Sequence, residues 1–316
     1  MTSFSIIIPV RNAEKTIRQC LEAILASSFR DFEIIVVDDA STDKTVKIAQ
    51  EFSCKIICLG EQRGPAYARM FGLKESSSDM VVFIDADILV AHDTLLELTN
   101  IFSTAKDTVA IVGMLSKDHP NKNFFSQYKN LYMHYIFSRC PTQIDFLYGS
   151  FYAIKKVYCN FIPANRVYGE DTELGLCLAQ QGYKIVLDKK LEVVHLKNYS
   201  FFSFVKNDFL VPFYWARLFL RENGWKNVLQ KKRFCHSQKE QLLSVLLAPV
   251  IILSIYFYPL AAMCMLVIQF FLNIRFFMFL FLEKGIVFAL CAIPVTLFDF
   301  LVMAIGIMTG FIIFQK

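Results

Sequence analysis

Short apolar runs alternate with amphipathic stretches along the first hundred residues. Apolar residues at helical spacing fill the intervals between the runs, and Asn12 is predicted to cap the first of these helices. The runs that predict strands are Phe4–Ile8, Glu33–Val37, Lys55–Leu59 and Met80–Ile84. Strands that alternate with helices in this way predict an α/β fold with a doubly wound, mostly parallel sheet.

The alternation is less regular after residue 107. Aromatic side chains are frequent over residues 124–138, and residues 171–181 predict a helix that ends at Gly182, since glycine is favoured just past a helix end. Further extended segments are predicted at residues 108–114, 145–154, 183–187 and 191–196. The α/β domain is therefore predicted to cover residues 1–199.

The last quarter of the chain is strongly apolar. The whole chain is 55% hydrophobic, yet residues 242–314 carry only four of its charged residues. Residues 242–258 and 286–314 are long enough to span a bilayer, whereas residues 260–272 are too short unless the helix continues past Arg275. We therefore expect a membrane anchor over residues 240–316 with two or three transmembrane helices.

A juxtamembrane segment is predicted over residues 200–239. Its first part mixes aromatic and charged residues, which indicates a helix in the lipid headgroup region or a helix packed on the α/β domain. Its second part holds a basic cluster without any acidic residue, made of Lys226, Lys231, Lys232, Arg233 and Lys239. Such a cluster favours binding to anionic lipid over binding to nucleic acid. Because no signal peptide precedes the first strand, it also favours a cytoplasmic location for the α/β domain.

Two carboxylates directly follow the fourth predicted strand. Asp85 and Asp87 are two positions apart, so on an extended segment both side chains point the same way at the carboxyl edge of the sheet, where α/β proteins bind ligands. Two hard oxygen ligands suit Mg²⁺ or Mn²⁺. The alternative is a solvated turn between strand and loop.

Five blocks of the chain form a recognisable series: Ser5–Asn12, Phe32–Asp43, Gly64–Arg69, Asp85–Asp87 and Glu170–Asp171. In their order and approximate spacing they resemble the family 2 glycosyltransferases. The resemblance covers about residues 3–200. It implies a GT-A fold, a nucleotide-diphosphate sugar donor and sugar transfer with inversion at the anomeric carbon.

The resemblance also implies which residues bind the donor. Asp87, with Asp85 and His195, would hold the divalent cation that neutralises the diphosphate. The residues implied to contact the donor nucleotide are Pro9, Val10, Arg11, Asp38, Asp39, Gly64, Arg69, Asp85 and Ala86. The alternatives are a structural role for His195, a helix-capping turn for Asp38 and Asp39, and a surface cation for Arg69, which precedes Met70 where the family often has Asn.

The acceptor side is implied in the same way. Asp171 would be the general base that takes the acceptor hydroxyl proton, with Glu170 orienting the site. Gly149 and Ser150 would pass beneath the acceptor. The alternative for the two acids is a favourable interaction with a helix amino terminus.

The sequence thus predicts a membrane-anchored, metal-dependent, inverting glycosyltransferase whose acceptor is a lipid or lipid-linked glycan. The Gln-x-x-Arg-Trp block of processive synthases is absent, which favours single transfer. The alternatives left open are a polyprenyl-phosphate acceptor, which needs no general base, and a non-catalytic nucleotide-binding scaffold. A transporter is disfavoured, because Asp299 is the only acidic residue well inside a predicted span.

Overall fold

The computed structural model describes residues 3–161, 169–222, 224–225, 228 and 233–314. Two compact units result. The first comprises residues 1–120 and 140–197, and the second comprises residues 121–139 and 198–316.

In the described part of the first unit, the strands form one mixed nine-stranded sheet. Its strands are β1 (Phe4–Val10), β2 (Phe32–Asp38), β3 (Lys55–Cys58), β4 (Met80–Ile84), β5 (Ile88–Leu89), β6 (Thr108–Leu115), β7 (Gln143–Ile144), β8 (Phe151–Lys155) and β9 (Lys184–His195). The order is β3-β2-β1-β4-β8-β6-β9-β5, with β7 paired to β9. The first four strands are parallel to one another, and β8 runs antiparallel to its two neighbours β4 and β6. β1 is buried along its whole length, as expected for a strand covered on both faces.

The helices, numbered in chain order, divide between the units. The first unit holds α1 (Ile17–Leu25), α2 (Thr45–Ala49), α3 (Pro65–Glu75), α4 (Thr94–Thr104) and α6 (Glu170–Gln180), with a 3₁₀ turn at Lys156–Phe161. The second holds α5 (Phe124–Ser138), α7 (Phe201–Arg221), α8 (Lys239–Phe257), α9 (Pro259–Lys284) and α10 (Ile286–Phe314), with a short pairing of β10 (Arg233–Phe234) and β11 (Ser237–Gln238).

Two local predictions for the first unit are wrong. Asn12 does not cap α1, whose N-cap is Thr16; Asn12 has a φ of 51° and its side-chain oxygen accepts the N–H of Thr42 at 2.8 Å. The two short strands predicted over residues 183–196 are the single strand β9. The middle of β9 is exposed at Lys189 and Lys190, where the pairing with β6 shifts register. These polar residues interrupt the apolar pattern, so the sequence predicts a turn where the strand continues.

Among the residues that the structure describes, three helices of the second unit are long and apolar enough to cross a membrane: Lys239–Phe257, Pro259–Lys284 and Ile286–Ile313. The middle one is 26 residues long because α9 continues past Arg275. In the basic cluster, Lys226, Lys231 and Lys232 lie outside the described residues.

Helix α5 belongs to the second unit, although its residues were predicted within the catalytic domain. Its aromatic residues explain the difference. Tyr128 and Tyr132 pack edge-on against Phe276 of α9, with ring centroids 6.0 and 5.5 Å apart, and the Tyr128 hydroxyl donates to Thr296 of α10 at 3.0 Å.

Helices α7 and α10 run side by side in the same direction. Phe201 stacks on Phe298, with ring centroids 5.7 Å apart. Eight to twelve residues further along both helices, a Cβ added to Gly306 or Gly310 would lie 2.4 Å from the carbonyl oxygen of Phe209 or Phe213. The two backbones therefore approach closely because α10 has no side chain at these positions.

A charged cluster is buried where α5, α7 and α10 meet. Lys129 donates to Asp208, which also accepts from Asn207 at 2.7 Å. Asp299 is fully buried beside Asp208. Burial lowers the pKa of Lys129, but the neighbouring groups, Asp208 foremost, together outweigh burial and raise it, which favours the charged lysine.

Candidate active site

The sheet brings the predicted donor residues to one edge. Because β1 is parallel to both β2 and β4, their carboxyl ends lie together, with Val10 opposite Asp38. Asp85, Ala86 and Asp87 follow the end of β4 at this edge. This is the position at which open α/β sheets bind ligands.

Asp38 and Asp39 lie buried at this edge but have different partners. Asp39 accepts the backbone N–H groups of Arg63 and Gly64 at 2.6 and 2.9 Å, and so fixes the loop that opens α3. Gly64 has a φ of 91°, which favours glycine. Asp38 accepts the N–H of Ser41 at 3.1 Å, while its Oδ1 has no hydrogen-bond partner among the described residues.

The remaining donor candidates of β1 differ in exposure. Pro9 and Val10 are buried in the strand, and Arg11, directly after it, is exposed. Their contact with a nucleotide remains a prediction.

Arg69 is buried in the middle of the site, with a side chain 5% exposed. Its guanidinium donates to Glu170, to Asp85 at 2.7 Å and to the carbonyl oxygen of Gly149 at 3.0 Å. Burial opposes the charge, but Glu170 and Asp85 outweigh it and raise the pKa of Arg69. The surface-cation alternative is therefore wrong.

Glu170 and Asp171 begin helix α6. Glu170 is buried against Arg69, and burial raises the pKa of its carboxyl group to about 7 although Arg69 opposes the rise. Asp171 accepts the backbone N–H of Gly149. A Cβ at Gly149 would lie 3.0 Å from Asp171 Oδ2, so the predicted close approach of this backbone is present.

Gly175 lies in α6 about one turn after Asp171, and its contribution to the site was not predicted from the sequence. A Cβ there would lie 2.4 Å from the backbone nitrogen of Leu147. This contact brings α6 against the segment that leads to Gly149. The only signal in the sequence is a small residue within an amphipathic helix, which does not distinguish close packing from chance.

Asp87 and His195 meet through strand pairing. β5 is antiparallel to β9, with Ile88 opposite His195, and the two side chains approach to 3.4 Å between Oδ1 and Nε2. Burial opposes ionisation of Asp87, but His195 outweighs it and lowers the pKa of the carboxyl group. At Asp85, burial and then the charge of Asp87 outweigh Arg69 and raise the pKa.

The metal candidates fit a site to which the protein contributes two ligands. Asp85 is directed to Arg69, and nowhere in the described part of the chain are three His, Cys, Asp or Glu side chains placed to hold an ion. The predicted set of Asp85, Asp87 and His195 is therefore not assembled as three ligands. A carboxylate suits Mn²⁺ or Mg²⁺ when phosphate and water complete the coordination, whereas an imidazole is a softer ligand and favours Mn²⁺ over Mg²⁺.

The candidate residues thus form linked groups. Arg69 joins Asp85, Gly149 and Glu170, and Gly149 joins Asp171 to them. The carbonyl oxygen of Ser150 accepts the N–H of Asp85 at 3.0 Å, and this ties the predicted acceptor segment to the strand end. The predicted base Asp171 and the Asp87–His195 pair therefore lie on the same scaffold.

Comparisons with known proteins agree with this arrangement. The family model "Glycosyl transferase family 2" matches residues 5–161. An uncharacterized glycosyltransferase of Haemophilus influenzae is 35% identical over 105 residues, 32% of this chain and 42% of that protein. The poly(ribitol-phosphate) beta-N-acetylglucosaminyltransferase TarS of Staphylococcus aureus is 31% identical over 121 residues, 36% of this chain and 21% of that protein. The chain therefore matches less than half the length of these relatives.

Among solved structures, the mannosyltransferase PcManGT from Pyrobaculum calidifontis, in complex with GDP-Man and Mn²⁺, has a similar fold. The TM-score is 0.56 at 19% identity, and the match covers 69% of this chain and 63% of that one. The predicted GT-A type α/β fold, followed by apolar carboxyl-terminal helices, is confirmed.

Proposed function

We propose that this chain, which carries a domain of glycosyltransferase family 2 at residues 5–161, transfers a sugar from a nucleotide-diphosphate donor to a hydroxyl group of a membrane-associated acceptor. The observation that carries the proposal is the network around Arg69. It links Asp85, at the donor edge of the sheet, to the Gly149 segment that holds Asp171. A general base is thereby held at a fixed position relative to the donor edge.

Two features support the donor assignment. Asp38 keeps one buried carboxylate oxygen without a partner in the described part of the chain, and this oxygen is available to a ribose hydroxyl or base N–H. Asp87 and His195 would hold the Mg²⁺ or Mn²⁺ ion, which supplies positive charge to the departing diphosphate. The structural neighbour binds GDP-Man with Mn²⁺, in agreement with this assignment.

The transfer itself needs a base. As the acceptor oxygen bonds to the anomeric carbon, the bond from that carbon to the diphosphate oxygen breaks, and the hydroxyl proton moves to the carboxylate of Asp171. The hydrogen bond from Gly149 fixes the orientation of that carboxylate. Attack opposite the leaving group inverts the anomeric configuration.

The acceptor is a lipid or a lipid-linked glycan, and the catalytic domain is cytoplasmic. The three helices long enough to cross a membrane and the basic cluster beside them support this location. The name of the relative TarS gives poly(ribitol-phosphate) as that protein's acceptor, so a polymer with free hydroxyl groups is an acceptor among the relatives.

The test is release of nucleoside diphosphate by the purified full chain in detergent with membrane lipid extract. A panel of uridine- and guanosine-diphosphate sugars is assayed with Mn²⁺, with Mg²⁺ and with excess EDTA. Asp87→Asn should lower turnover about 10²-fold or more, because it removes a charge that holds the ion. Asp93→Asn changes an exposed acid and is the matched control.

The outcomes separate the parts of the proposal. Binding of donors without release by the wild type would contradict transfer and favour a scaffold. Full activity in EDTA would contradict the role of the cation while leaving the transfer reaction in place.

A further inference from the structure

Arg69 connects segments that are far apart in the sequence. Its partners Asp85, Gly149 and Glu170 are 16, 80 and 101 residues away. Both terminal nitrogens of the guanidinium are engaged by these partners. With 5% of the side chain exposed, little of it remains for contact with a bound molecule.

We propose, on the basis of the function proposed above, that Arg69 is a positioning residue that sets the place of the base Asp171 and does not contact the donor. The family resemblance had implied a nucleotide contact. The geometry points instead to a clamp between the donor and acceptor sides of the site.

The clamp acts through one residue, Gly149. Its carbonyl oxygen accepts from Arg69 at 3.0 Å, and its N–H donates to Asp171. A shift of the guanidinium therefore moves Gly149, and with it the partner that orients the base carboxylate. The next residue is tied as well, since the Ser150 carbonyl oxygen accepts from the Asp85 N–H at 3.0 Å.

The planar guanidinium is needed for this role. It donates along several directions at once, whereas a lysine ammonium is a compact charge on a flexible stem. Arg69→Lys retains the positive charge beside Asp85 and Glu170 but cannot hold all three partners in the same geometry. This variant thus separates positioning from charge compensation.

The test compares kcat, donor KM and donor Kd of Arg69→Lys with those of the wild type and of Arg18→Lys. Arg18 is an exposed arginine of α1 paired with Glu51, and its replacement should change none of these constants. For Arg69→Lys we expect kcat to fall about 10- to 100-fold, since small misplacement of a reacting group is costly. Donor KM and Kd should stay within about twofold, because the donor keeps its own contacts.

A second variant tests the same link from the other side. A Cβ in Gly149→Ala would lie 3.0 Å from Asp171 Oδ2 and 3.2 Å from Arg69 Nη2. It should lower kcat without changing donor Kd. Because this change leaves Arg69 in place, it tests the link even if Arg69→Lys does not fold.

The possible results separate a failure of the proposed function from a failure of this inference. Wild-type protein that turns over no donor would overturn the proposed function and this inference with it. An active wild type with an Arg69→Lys variant that keeps kcat but loses donor affinity tenfold would overturn the inference alone. Unchanged kcat in folded Gly149→Ala would overturn it as well.

Discussion

Replacing Lys129 by methionine should strongly destabilise the second unit, which holds the long apolar helices. Lys129 and Asp208 form an ion pair with side chains only 10% and 2% exposed, and Asp299 lies fully buried beside Asp208. Methionine preserves most of the length and apolar contacts of lysine. The substitution therefore removes the positive charge and leaves the carboxylate without its partner.

The magnitude follows from the burial of the pair. Removing one partner of a buried ion pair costs about 3–5 kcal/mol, because the remaining charge is desolvated without compensation. In a protein of this size the melting temperature changes by about 2–4 °C for each kcal/mol of stability, so it should fall by about 6–20 °C.

Thermal melting of the purified full chain in detergent, followed by near-UV circular dichroism, measures this effect. Lys206→Met is the matched control, because Lys206 is exposed on α7 and its loss should shift the melting temperature by no more than about 2 °C. Adding Asp208→Asn to Lys129→Met should recover at least half of the loss, since no unpaired carboxylate remains at that position. If Lys129→Met melts with the control, the pair does not stabilise the unit and the argument fails.

Two further predictions concern the base and the packing of α7. Asp171→Asn should lower kcat by about 10²–10⁴-fold with donor Kd unchanged, because the amide keeps the shape of the side chain but cannot accept the proton. A near-normal rate would indicate a base elsewhere or an acceptor that is already ionised, such as a polyprenyl phosphate. Gly310→Leu should lower the free energy of unfolding by about 1–3 kcal/mol, because a Cβ there would lie 2.4 Å from the Phe213 carbonyl oxygen. Gly60→Ala, whose added Cβ would meet nothing within 4 Å, should leave stability unchanged. Equal melting temperatures of the two variants would contradict the close packing of α7 on α10.

The strands of the donor edge could be predicted because their apolar runs are local signals. The runs at Phe4, Glu33 and Met80 each begin or lie within an observed strand. The acids that follow the second and third of these runs lie at the same edge of the sheet. Parallel strands that follow one another through helices leave few other arrangements.

The position of Arg69 could not be predicted, because burial depends on partners that arrive from distant segments. A lone arginine on a helix gives the same local pattern whether it faces solvent, a nucleotide or Glu170, which is 101 residues away. The meeting of Asp87 with His195 is hidden for a similar reason. It depends on the two-residue strand β5, which is too short to leave a pattern.

The length of α9 could not be decided from the sequence, because Arg275 interrupts the apolar run and leaves both a short and an extended helix open. Among the residues around it, Phe276 and Phe277 are buried in the second unit. A single charge within an otherwise apolar helix does not end it when its neighbours pack against other helices.

The place of α5 in the chain has a practical consequence for making a soluble enzyme. Because α5 lies between β6 and β7 but packs with helices that follow residue 197, the chain passes between the units three times. Deleting everything after Lys197 would keep α5 while removing Phe276, Thr296 and Asp208, the partners of its tyrosines and its lysine. Such a fragment would expose an aromatic helix in water and aggregate. Soluble expression would require residues 121–139 to be replaced by a short linker as well.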